Sequence, residues 1–113
     1  MTIFFDGASK GNPGTAGAGG LILPQDGSSK ETYSWGLGQR TNNQAEILSL
    51  LKACQIAKER GIREIQAFGD FEMLIKKIHM KNKFNDVVLN KSLQRLRNII
   101  QEFTVFNCYH ILR

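Results

Sequence analysis

The pattern of apolar and polar positions divides the chain into short strand-like blocks and longer stretches with helical spacing. Thr2 to Asp6 (TIFFD) is a nearly continuous apolar run, the pattern of a strand covered on both faces, and Gly7 punctuates it. Asp6 is therefore expected at a strand's carboxyl end. Ala8 to Gly14 (ASKGNPG) is turn chemistry, after which Ala16 to Leu23 and Glu31 to Leu37 read as strands around Pro24-Gln25-Asp26-Gly27. The three make an antiparallel meander.

Thr41-Asn42-Asn43-Gln44 has capping-box spacing, and apolar Ile47, Leu50, Leu51, Cys54 and Ala57 follow at helical intervals before the breaker Gly61. Ile62 to Gly69 reads as a strand with Asp70 at its end, and Glu72 to His79 as a second helix. A strand, a helix and a strand in this order predict a right-handed crossover, so the strand before Asp70 runs parallel to the first. Lys81 to Asn85 is a short polar connection. Val88, Leu89, Leu93, Leu96, Ile100 and Phe103 recur at the spacing of a third helix, and Thr104 to Leu112 reads as a final strand. The expected architecture is α/β: one domain over residues 1–113, with helices packed on a five-stranded mixed sheet, three strands antiparallel and then parallel ones.

A chain of 113 residues can bury one core without disulfides or a structural metal, and 42% hydrophobic with 22% charged residues is ordinary for a soluble globule. No apolar run is long enough to cross a bilayer. The start lacks the basic segment and small-residue cleavage site of a signal peptide, so an intracellular protein is expected; a monomer is expected as well. Cys54 and Cys108 fall in apolar patterns and read as small core residues, without a disulfide partner. The net charge of +5 suits a polyanion such as nucleic acid, though it favours one only weakly.

Candidate chemistry lies in the acids. If the strands ending at Asp6 and Asp70 are neighbours, about 4.8 Å apart, their carboxylates can converge on one cation or bridge a pair. Glu46, placed by the pattern in the first turn of the capped helix, can reach the same spot. Each of these acids alone is usually a turn, cap or dipole residue; their joint placement is what points to a site. Three converging carboxylates repel unless a cation lies between them, and hard oxygen donors suit Mg²⁺ or Mn²⁺ rather than zinc.

Phe4-Phe5-Asp6-Gly7-Ala8-Ser9-Lys10-Gly11-Asn12-Pro13-Gly14, with the glycine-rich Ala16 to Gly20 behind it, resembles the opening motif of the type 1 ribonuclease H family. Thr41-Asn42-Asn43-Gln44-Ala45-Glu46 resembles its helix entry, Gly69-Asp70 its third carboxylate, and His110-Ile111-Leu112-Arg113 the start of its last motif. The resemblance spans essentially the whole chain and is closest to the plant and reverse-transcriptase-associated members. It implies hydrolysis of the RNA strand of an RNA–DNA hybrid with two Mg²⁺ ions, which Mn²⁺ can replace. Asp6, Glu46 and Asp70 would be the catalytic metal ligands. Gly7, Ser9, Lys10, Gly11, Asn12, Thr41 and Asn43 would bind substrate: the loop and Asn43 at RNA riboses, Asn12 and Thr41 at a DNA phosphate. Glu46 would also reach a 2′-hydroxyl. His110 and Arg113 are possible further site residues, His110 reading more readily as a packed strand residue.

Several features depart from that family or stand outside it. Its fourth carboxylate follows the motif begun by His110, and this chain stops at Arg113, so the family's C-terminal helix is missing from it. A truncated piece and a domain that has lost part of its apparatus both fit. Phe71 stands where small or hydroxyl residues are usual and is expected to turn inward, while Glu72 adds negative charge near the substrate path. Lys76, Lys77, Lys81, Lys83, Lys91, Arg95 and Arg97 could follow a duplex backbone or be a solvated helix face. Tyr33 and Trp35 are expected to be sheet packing. The competing functions are a silent hybrid- or duplex-binding module and another nuclease of the same fold.

Overall fold

The computed structural model describes residues 1–80 and 82–111. Strands β1 (Thr2–Ser9), β2 (Gly14–Leu23) and β3 (Glu31–Arg40) come first, followed by helix α1 (Asn42–Glu59). Then come β4 (Glu64–Gly69), α2 (Glu72–Met80), α3 (Val87–Ile100) and β5 (Val105–His110). The five strands form one sheet in the order β3-β2-β1-β4-β5. The meander pairs antiparallel, and the crossover through α1 brings β4 parallel to β1, as the pattern expected. β5 then adds parallel to β4.

Asp6 is not at the end of β1. The apolar run stops there, but antiparallel pairing with β2 continues to Ser9↔Ala16, while parallel pairing with β4 ends at Phe4↔Phe68. Periodicity marks where burial stops; the hairpin ladder decides where the strand stops. The same pairing lengthens β2 back to Gly14 and β3 on to Arg40.

The first residues of α1 follow from its cap. The Thr41 hydroxyl accepts the Gln44 N–H at 3.2 Å and the Gln44 side chain accepts the Thr41 N–H at 2.9 Å, satisfying two donors that a helix start leaves open. At the other end Gly61 adopts φ +71°, and the N–H groups of Gly61 and Ile62 close on the Lys58 and Ala57 carbonyls. That closure consumes Ile62, so β4 starts only at Glu64. In α3 the buried stripe is Leu89, Leu93, Leu96 and Ile99. Val88, expected in it, is 52% exposed because Asp86 caps the helix and turns its first residues outward. Phe103 lies beyond the helix but remains buried.

The core forms between one face of the sheet and the helices. Ile3, Phe5, Ile22, Ile65, Ala67 and Cys108 meet Ile47, Leu50, Cys54, Leu74, Leu93 and Leu96 there. Each large aliphatic fully buried contributes about 1.5–3 kcal/mol. Both thiols are free and buried, without a disulfide. Phe71 turns inward as expected and stacks on Phe84 at 6.0 Å. The alternate strand positions face the other way, where Phe4, Phe68 and Tyr109 form a column of stacked rings with centroids 5.2 Å apart.

Candidate active site

The three acids come from three elements, two of them the central strands β1 and β4. Continuing the β1–β4 register two residues past Phe4↔Phe68 sets Asp6 level with Asp70, which directly follows β4. Glu46 comes to the same level through a close approach of α1. A Cβ on Gly7 would lie 2.2 Å from the Ala45 carbonyl carbon and 2.4 Å from the Glu46 nitrogen, so only glycine lets helix and strand backbones touch there. Glu46 stands just past the first turn of α1 rather than within it, since the helix begins at Asn42 and its first turn holds no acid. An account based on the helix dipole therefore loses force for this residue.

Polar contacts hold these positions. The Asp6 N–H donates to Ser49 Oγ at 3.2 Å, and Ser49 sits one turn after Glu46 on α1. His110 Nε2 lies 3.3 Å from Asp70 Oδ1, so the residue read as strand packing is in contact with the third acid. Burial above all raises the Tyr33 phenol above its ordinary range; Ser49 opposes the shift, and the negative charges of Asp6 and Glu46 add to it. Both acids are thus within electrostatic reach of one buried hydroxyl.

Among the described residues, no three His, Cys, Asp or Glu side chains are gathered closely enough to hold an ion. The donor set nonetheless fits a hard divalent cation: all three are carboxylates, and their backbone positions converge. Like charges placed close together need a counter-charge between them, which is what a divalent cation would supply here.

The loop from Gly7 to Gly14 is tied to the start of α1. The Ser9 N–H donates to Asn42 Oδ1 at 2.9 Å, and the Asn42 N–H donates to Asn12 Oδ1 at 3.2 Å. The Lys10 N–H closes the hairpin on the Thr15 carbonyl, and the Ser9 hydroxyl donates to the Gly11 carbonyl. Gly11 takes φ +128°, a conformation that favours glycine. Asn12 and Asn43 are exposed and Thr41 is half-buried. Asn42 was not singled out from the sequence; its neighbours Thr41 and Asn43 were. Its only signal was its place beside the cap, which does not reveal that it clamps the loop.

Elsewhere, Tyr33 is buried as expected, but Trp35 is 38% exposed on the edge strand β3, with its ring tilted against that of Tyr33 at 5.5 Å and Lys52 of α1 over it at 5.4 Å. Glu72 pairs with Lys76 at 3.2 Å. In the basic stretch, Arg97 donates to the Lys77 carbonyl at 2.9 Å and to that of Asn82, so it serves the α2–α3 junction. Lys81 and Arg113 lie outside the described residues, as does the expected strand end at Leu112.

Residues 4–113 match the family model described as reverse transcriptase-like. The ribonuclease HI of Halobacterium salinarum is 33% identical over 110 residues, covering 97% of this chain and 55% of that protein. The chain thus spans about half the length of this curated relative. The crystal structure of an RNase H1 from Halobacterium salinarum superposes with a TM-score of 0.91 at 32% identity, covering 99% of this chain and 85% of that one. LC11-RNase H1, solved in complex with an RNA/DNA hybrid, gives 0.88 at 26% identity, covering 99% and 85%.

Proposed function

The chain belongs to the ribonuclease H family, and from that premise we propose that it hydrolyses the RNA strand of RNA–DNA hybrids with the help of divalent cations. The observation that carries this proposal is the common level of Asp6 and Asp70 on the central strands, with Glu46 brought alongside by α1, beside a loop rich in backbone and amide groups. Asp6 and Asp70 would hold Mg²⁺ or Mn²⁺ from the strands, and Glu46 from the helix. A pair of such ions would supply activation of water and neutralisation of the departing 3′ oxygen in an in-line displacement. No side chain need act as covalent nucleophile.

The chain's own groups then account for choice of substrate. Asn12 accepts the Asn42 N–H through Oδ1, so its amide NH₂ remains to donate to a phosphate or ribose. The Thr41 hydroxyl accepts the Gln44 N–H and keeps its own proton for a phosphate oxygen. With its amide committed to Asn42, Ser9 serves by holding the loop, while Gly11, Asn12 and Asn43 stay open to the minor groove, where 2′-hydroxyls distinguish RNA from DNA. The Lys10 ammonium adds salt-dependent attraction.

A hybrid-cleavage assay in Mg²⁺ and in Mn²⁺, run beside Asp70→Asn, tests this function. Cleavage confined to the RNA strand, and reduced by the substitution to the metal-free background, is expected. Tight hybrid binding without cleavage in the unvaried chain would reassign it as a binding module. Cleavage of pure DNA would point to another nuclease of the fold.

A further inference from the structure

We propose that Ser49, backed by Tyr33, is a positioning residue that locks the backbone of Asp6 to the helical turn carrying Glu46. The inference rests on the carboxylate site described above and goes beyond it to a residue that would touch neither cation nor substrate.

A serine inside a helix usually faces solvent or bonds back to its own helix, because a buried hydroxyl without partners costs about 1–3 kcal/mol. Ser49 does neither. It is 0% exposed and points into the sheet, where its hydroxyl is fully accounted for. Its proton goes to the Gly19 carbonyl at 2.7 Å. Its oxygen accepts the Asp6 N–H at 3.2 Å, and because a hydroxyl has only one proton, the 3.1 Å contact with Tyr33 must be a bond that Tyr33 donates. The Tyr33 hydroxyl also lies 3.3 Å from the Ser49 carbonyl, closing the group on itself.

Asp6 and Gly19 are ladder partners across β1 and β2. A hydroxyl from α1 therefore bridges the two strands at the pair that includes the first acid. On α1, Ser49 follows Glu46 by three residues and so shares its face. One side chain thus ties the Asp6 amide, the Glu46 turn and, through Tyr33, strand β3 into a single polar joint. Gly7 allows the close approach beside it, and the joint fixes the alignment of helix on strand. Without it, α1 could shift along the apolar contact without leaving any polar group unmet, and Glu46 would move relative to Asp6.

Mn²⁺ titration of the full chain by calorimetry, together with the Asp6 amide resonance in metal-free protein, tests the inference on unvaried protein, Ser49→Ala, Tyr33→Phe and Asp6→Asn. Ser49→Ala is expected to weaken Mn²⁺ binding about tenfold or more and to move the Asp6 amide resonance while circular dichroism stays native. Tyr33→Phe should act in the same direction and less. If Ser49→Ala fails to fold, Ser49→Cys carries the same expectation, because a thiol is a poor donor and acceptor in nearly the same volume. A folded Ser49 variant with unchanged Mn²⁺ affinity overturns the positioning role while leaving the carboxylate site standing. Absence of any Mn²⁺ binding in unvaried protein that Asp6→Asn removes would overturn both.

Discussion

The two faces of the sheet are made by the same strands, one residue out of phase, and they are put to different use. Ile3 and Phe5 point under the helices and are 0% and 1% exposed, whereas Phe4 and Asp6 between and beyond them point the other way and are half-buried. On β4, Ile65 and Ala67 repeat the first pattern, and Phe68 followed by Asp70 repeats the second. One face therefore carries the stability, and the other presents Asp6 and Asp70 at the end of an aromatic column. Separating the two by parity allows like charges to be placed next to a core without entering it, since a strand sends alternate side chains to opposite sides.

The contrast is sharpest for two phenylalanines in neighbouring strands. Phe5→Ala is expected to cost about 3–5 kcal/mol, the usual loss for a fully buried ring, measured by urea unfolding. Next in size, Gly7→Ala drives a methyl into the Ala45–Glu46 backbone. A loss of about 1–3 kcal/mol is expected, with hybrid cleavage falling further than stability because Glu46 is displaced. An unchanged cleavage rate in that variant would show that the approach of α1 to β1 does not set the site.

Alkaline pH tests the covered face without mutation. Burial raises the Cys108 thiol to about 12, and raises that of Cys54 further. Folded protein holds those protons more tightly than unfolded chain, so their stabilisation is complete below the unfolded thiol value of about 8.5. It is lost as pH climbs from there toward about 12, at about 1.4 kcal/mol per pH unit for each thiol. Unfolding free energy across pH 8–11 should show this fall, and Cys54→Ala should reduce its slope. The smallest effect is expected at Phe68→Ala on the other face. A half-buried ring there should cost about 1–2 kcal/mol, less than the loss at Phe5. Equal losses at the two positions would show that both faces share one core.

Much of this was legible in the residues. Period-two and period-3.6 spacing located the strands and helices, and Thr41 with Gln44 named the helix start because a capping box acts within four residues. The placement of Phe71 followed from its bulk. Other features depended on distant partners. Asp6 was set at a strand end because the apolar run stops there, yet the ladder with β2 carries the strand to Ser9. Trp35 alternates like Tyr33, but only the edge position of β3 leaves it partly outside. His110 gave no sign that Asp70 would lie beside it, and Ser49 was not singled out.

The sequence by itself determined which segments become strands and helices and where α1 begins. Those outcomes depend on neighbours along the chain and on alternation, which are local. Tertiary structure decided which polar groups meet: Asn42 with Ser9 and Asn12, His110 with Asp70, and Ser49 with Asp6, Gly19 and Tyr33. These contacts exist only because α1 descends onto β1 across a glycine and β5 closes beside β4. Hydrogen bonds need partners within about 3.5 Å, a precision that residue spacing along a chain does not contain.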